Sequence, residues 1–217
     1  MKRTPLAAEA RLFAVSAHVL RCVSMNRDTL EKLMELAEPR PHLQEYALLY
    51  LFAYAFLLRV PSEAVVATAI VGKAALSVEG DFLILALARR KNKPGGSRLV
   101  RGCWCKESPI TCPYHKLRPW IEARARGGEL FPSVTAASAL QRLREMLVAV
   151  KVPSAGLYRT HDLRRGHAKD LQLSGACVAC AGRLVCDAVL RGAPLWKILQ
   201  AGEWRSPAFL KYLDLSR

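Results

Sequence analysis

The stretch T-H-D-L-R-R-G-H at residues 160–167 decides how this chain is read. His161 and Arg164 lie three positions apart, so on a helix they share a face and can meet one phosphate. A guanidinium grips non-bridging phosphate oxygens in fork geometry, and an imidazole beside it can carry a proton. Arg165, the next residue, points elsewhere, as a backbone contact or a solvated charge.

Outward from that box, L-L-R-V-P-S-E-A at 57–64 supplies Arg59 after thirteen uncharged, mostly apolar residues, Tyr46 to Leu58. A charge there is costly unless it emerges into a site, and the alternative is a helix-end arginine meeting the C-terminal dipole. Two arginines together can hold a phosphate and stabilise the charge that builds on five-coordinate phosphorus. The segment A-R-R-K-N-K-P-G-G-S at 88–97 carries Lys91 and Lys93, which on their own would read as phosphate-backbone contacts or solvated charges. The segment A-G-E-W-R-S-P-A-F-L-K-Y-L-D at 201–214 carries Glu203, Trp204 and Tyr212. An indole N–H can donate to a phosphate, whereas Glu203 would repel one. A tyrosine hydroxyl that attacks the phosphorus keeps the bond energy as an ester, while a histidine and a lysine move the protons of the entering and leaving oxygens. Tyr212 has a bland alternative, packing beside Phe209 and Leu213 on an amphipathic helix, and Tyr158 is a rival that ranks far below it.

In this order, with a basic turn between the first two boxes, the chain resembles the tyrosine recombinases (integrases), most closely their eukaryotic crypton-like and retrotransposon-borne members. The resemblance runs from about Asn26 to Asp214. It implies a mainly α fold with a small three-stranded antiparallel β-sheet. It also implies DNA strand breakage and rejoining, in site-specific recombination or integration, through a 3′-phosphotyrosine and with no catalytic cofactor. Carried onto these positions, Tyr212 attacks, Arg59, Arg164 and Trp204 bind the phosphate, His161 handles the nucleophile's proton and Lys91 the leaving group's. Double-stranded DNA is the implied partner, with a homo-oligomer assembled on it, and a mobile element in a nucleus is the implied setting. The competing readings are a catalytically inactive DNA-binding remnant of a recombinase and, with less support, a DNA-relaxing topoisomerase.

Composition agrees with that partner. The 217 residues carry a net charge of +15 and a pI near 9.9, which favour a polyanion, either nucleic acid or an acidic membrane face. The run Tyr46 to Leu58 is too short to span a bilayer and reads as a buried helix, so no membrane is expected. Glu9 and Arg11 interrupt the apolar stretch near the start, which argues against a signal peptide. Seven cysteines, an odd number, suit an intracellular protein with free thiols or a metal site.

Along the chain, residues 1–25 read as a helical arm or the remnant of a preceding DNA-binding domain, and 26–217 as the catalytic domain. Asp28 with Glu31 gives a capping-box-like start to one helix, Leu43 to Leu58 forms the next, and Pro61 opens another. Strands are expected at 74–79 and 82–88, joined at Gly80 and Asp81, with a third ending near Arg101. Helices follow at Lys116 to Arg126, at Thr135 to Val150 and from His161, with Ser206 and Pro207 opening the last. In C-W-C-K-E-S-P-I-T-C-P-Y-H, residues 103–115, Cys103, Cys105, Cys112 and His115 are ligands enough for a structural zinc; the alternative is four unrelated residues in a reduced protein. Residues 176–191, with three more cysteines, read as an insertion between Arg164 and Tyr212.

Overall fold

The computed structural model describes residues 24–90 and 93–174, with side chains as far as Asp170. The expectations for residues 1–23, Lys91, the 176–191 insertion, Glu203, Trp204, the Ser206–Pro207 start and Tyr212 lie outside those residues.

Helix α1 spans Arg27–Ala37 and buries Leu30, Leu33, Met34 and Ala37, a stripe at helical spacing. Its cap is Asn26, whose side chain accepts from the Thr29 N–H at 3.0 Å. The expected Asp28–Glu31 start is therefore two residues late, and Asp28 sits inside the first turn, where an acid suits the dipole. Helix α2, Pro41–Ala55, begins on its proline and is apolar all round, so it is buried along most of its length as the central rod of the core. It ends when buried Leu57 takes a left-handed φ of 56°, an uncommon conformation for a bulky residue. The chain then exits through Arg59 into a single π-helical turn, Val60–Ala64, rather than the longer helix that Pro61 led us to expect.

The sheet has four strands in the order β1-β2-β3-β4: Thr68–Ala69, Ala74–Glu79, Phe82–Leu87 and Ser97–Arg101. The three antiparallel strands and the two-residue turn at Gly80 and Asp81 are where the sequence puts them, with Glu79 opposite Phe82. The expected three-stranded antiparallel sheet is corrected by β1, which pairs parallel to β2 with Thr68 opposite Ala75. Two residues offer no alternation to read, so this edge leaves no periodic signal.

Helix α3 covers Pro113–Glu122, three residues earlier than expected because Pro113 takes the first helical position. Helix α4, Ala136–Ala149, is capped reciprocally by Thr135 and Ser138. Helix α5, His161–Ser174, starts on the expected histidine and packs on α2. The Asp170 carboxylate accepts the Arg27 N–H at 2.8 Å and the Tyr54 hydroxyl, so it joins α5 to the start of α1 and to α2. The Met25 N–H donates to the Asp162 carbonyl at 3.2 Å, which draws the segment before α1 against the first turn of α5.

Gly166 permits that approach. A Cβ there would stand 1.5 Å from the Met25 carbonyl oxygen, so no side chain fits without moving backbone. Gly166→Ala is expected to cost about 3 kcal/mol through overpacking. Urea unfolding of the variant checks this, and an unchanged midpoint would contradict it.

Candidate functional site

Arg59 stands where the buried rod ends. Its backbone N–H donates to Glu63 Oε2 at 2.8 Å, and its Nη1 lies 3.7 Å from Glu63 Oε1, with the side chain 29% exposed. The π-helical turn thus folds its own carboxylate under the arginine that precedes it. Glu63 is buried and receives a second cation from the sheet: Arg90 donates through Nε to Oε1 at 3.1 Å and through Nη2 to Oε2 at 3.3 Å. The same Nη2 also reaches the Leu57 carbonyl at 3.2 Å, where the chain turns left-handed. Burial pushes the Glu63 carboxyl up, but hydrogen bonding and charge from Arg90, the Arg59 N–H and the more distant Arg164 outweigh it and hold the group below its ordinary value.

Helix α5 brings the other half. His161 occupies its first position, and Arg164, one turn on, is 2% exposed. Burial and then the charges of Arg164, Arg165 and Arg59 push His161 down to about 4, so at neutral pH its ring is uncharged. Arg59 and the His161–Arg164 pair, more than a hundred residues apart in sequence, therefore lie within one another's electrostatic field. Arg165, expected as a backbone contact or a solvated charge, pairs through its Nη1 with the buried Asp162 carboxylate at 3.2 Å.

Among the described residues the Glu63 carboxylate lies near Arg59, Arg90 and Arg164, while Asp162 is taken up by Arg165 and the Arg159 N–H. Arg101 is a further buried cation, directed to the Ala55 carbonyl at 2.6 Å and lowered to about 10 by burial and by Arg90. Guanidinium groups gathered in this way have the chemistry to hold an anion with several acceptor oxygens.

Glu63 and Arg90 are the residues that sequence reading missed. Glu63 was legible only as an acid near a helix start, and the neighbouring lysines drew attention away from Arg90. Arg90 and Lys93, which bracket Lys91 in sequence, exchange backbone hydrogen bonds of 3.1 and 3.0 Å. Tyr158 is buried, and burial followed by the Asp162 charge raises its hydroxyl, the opposite of what a nucleophile needs. Cys103, Cys105, Cys112 and His115 converge in a separate cluster, their ligand atoms within 4.8 Å of one another. Among the described residues no helix is long and apolar enough to cross a membrane.

No protein-family model matches this sequence, and no curated protein matches it. In three dimensions the chain is similar to XerH site-specific recombinase bound to its difH substrate in a pre-cleavage complex. That match has a TM-score of 0.53 at 17% identity and covers 87% of this chain and 49% of that one. The fold is tyrosine recombinase-like. The post-cleavage complex of XerH with palindromic difH gives 0.51 at 16% identity, over 88% of this chain and 49% of that one. This chain thus spans about half the length of the XerH chains it matches.

Two measurements probe this site. Glu63→Gln breaks a buried ion pair with Arg90, so it is expected to destabilise the chain by about 3 kcal/mol in chemical unfolding, and a loss near zero would contradict the pairing. His161 has a folded pKa below its ordinary 6.5, so the unfolded state binds more protons in between, and this residue's contribution to stability is lost as pH falls from 6.5 through about 4. Imidazole NMR is expected to show that midpoint near 4 and its rise toward 6.5 in Arg59→Gln. A titration at the ordinary value in the parent chain would overturn the assignment.

Proposed function

We propose that this chain is the catalytic part of a tyrosine-type DNA recombinase, which cuts and rejoins duplex DNA through a 3′-phosphotyrosine. The observation that carries the reading is the gathering of Arg59, Arg164 and an uncharged His161 within one another's electrostatic field, on a fold similar to that of XerH. DNA is the partner favoured by that site and by the net charge of +15. Assembly as a homo-oligomer on the DNA and an origin in a crypton-like or retrotransposon-type mobile element belong to the same proposal.

In this reading the scissile phosphate sits between Arg59 and Arg164, whose N–H groups hold its non-bridging oxygens as charge builds on phosphorus. Glu63 keeps Arg59 and Arg90 in place without itself meeting the anion, being buried beneath them. His161, neutral before DNA arrives, takes the proton of the Tyr212 hydroxyl, or holds it in a hydrogen bond to the phosphate. Tyr212 Oη forms a bond to phosphorus as the bond to the 5′ oxygen breaks, and Lys91 gives that oxygen its proton. Trp204 donates its indole N–H to the phosphate. A 5′ hydroxyl attacking the phosphotyrosine reverses every step, so no external energy source is required.

The test is covalent trapping. The full chain is incubated with pools of supercoiled and nicked DNA, denatured in detergent and examined for protein-linked DNA. The parent chain is expected to form an adduct, Tyr212→Phe none, and Arg59→Ala about a hundredfold less, the scale of a lost transition-state donor. An adduct that persists in Tyr212→Phe would overturn the nucleophile. DNA binding without an adduct in the parent chain or in a deletion of 176–191 would favour the inactive DNA-binding remnant.

A further inference from the structure

The Cys/His cluster lies apart from the phosphate site, and its geometry asks for an explanation that free thiols do not supply. The three sulfurs of Cys103, Cys105 and Cys112 stand 3.6, 3.1 and 3.3 Å from one atom, Nδ1 of His115. A ring nitrogen has one lone pair or one proton, so it cannot satisfy three thiols at once. Cys112 Sγ is 3.7 Å from Cys103 Sγ, far beyond a disulfide bond. A tetrahedral zinc ion with Zn–S near 2.3 Å and Zn–N near 2.0 Å sets sulfur to sulfur at about 3.8 Å and sulfur to nitrogen at about 3.5 Å. The observed separations are close to those edges.

Local structure presents the four ligands. Cys103 and Cys105 follow the end of β4, while Cys112 caps α3 and His115 lies in its first turn, three positions on and on the same face. Backbone amides turn toward the sulfurs: the Trp104 N–H donates to Cys112 Sγ at 3.1 Å and the Cys105 N–H to Cys103 Sγ at 3.4 Å, contacts that stabilise thiolate ligands.

We propose that Cys103, Cys105, Cys112 and His115 bind one structural zinc ion, and that this knuckle fixes Trp104 as a buttress for α5. Trp104 lies between the first two ligands, so a closed site holds its backbone on both sides. Its ring stacks on His167 with centroids 5.5 Å apart and planes at 15°, and the Arg27 guanidinium lies over it at 5.7 Å. His167 is buried, one turn beyond Arg164. The edge of its ring meets Tyr54 of α2 at 4.5 Å, so it is clamped between the rod and the knuckle. The metal thereby steadies the helix that carries His161 and Arg164 without touching either. All four protein positions are filled, which leaves no open coordination site for catalysis.

The inference does not rest on the recombinase reading, and its test needs no DNA. The full chain, purified under reducing conditions without chelator, is expected to contain about one zinc per molecule, and its cobalt(II)-substituted form to show the visible bands of tetrahedral thiolate coordination. His115→Asn and Cys105→Ser, at positions less buried than Cys112, are expected to lose the metal and the bands while keeping the far-ultraviolet dichroism of a folded chain. Removal of zinc is also expected to speed amide exchange in α5 around His167, an effect that Trp104→Ala reproduces with zinc still bound. Metal-free protein with no cobalt bands, or metal retained in both ligand variants, would overturn the site. A disulfide between Cys103 and Cys112 found by mass in freshly purified protein would do the same. Unchanged exchange in α5 on zinc removal would overturn the buttress.

Discussion

The buried carboxylate of Glu63 is the constraint on which this site depends. It lies at the junction of three parts of the fold: the end of the central helix, the π-helical turn and the approach to β4. A lone carboxylate in that position would be too costly to keep charged, and Arg90 makes it tolerable through a two-pronged pair. The same carboxylate then sets the direction of Arg59 by binding its backbone N–H and lying close to its guanidinium. His161 is uncharged chiefly because it is buried, with the charges of Arg164, Arg165 and Arg59 adding to that effect.

Helix α5 connects this electrostatic arrangement to the packing. Its first turn faces the arginines, while Gly166, His167 and Asp170 face the segment before α1, the α2 tyrosine and Trp104. The stretch from His161 to Asp170 therefore serves chemistry at one end and anchorage along the rest. Because Gly166 admits the Met25 backbone and Asp170 receives the Arg27 amide, α1 fixes the height at which His161 and Arg164 meet Arg59.

Local signals were legible in the sequence, and long-range ones were not. The turn at Gly80 and Asp81, the start of α5 at His161 and the end of the apolar rod before Arg59 follow from residue chemistry within a few positions. The convergence of three cysteines and His115 was legible for the same reason, since they fall within thirteen residues. The short strand β1 carries too few residues for a period, and Asn26 was passed over as a cap because Asp28 with Glu31 imitates one. The Glu63–Arg90 pair joins residues 27 positions apart, and nothing local in either stretch marks the other. That Arg59 and His161 share a site was suggested by resemblance alone; the fold packs α2 on α5 and brings the Arg59 charge within reach of His161.

The most direct measurement is a structure of the full chain bound to duplex DNA, determined with Tyr212→Phe to hold the uncut state. The account predicts one backbone phosphate within hydrogen-bond distance of the Arg59 and Arg164 guanidinium groups and of the His161 ring, with Glu63 still paired to Arg90 beneath them. A duplex that runs over another face, leaving that site without a phosphate, would contradict it.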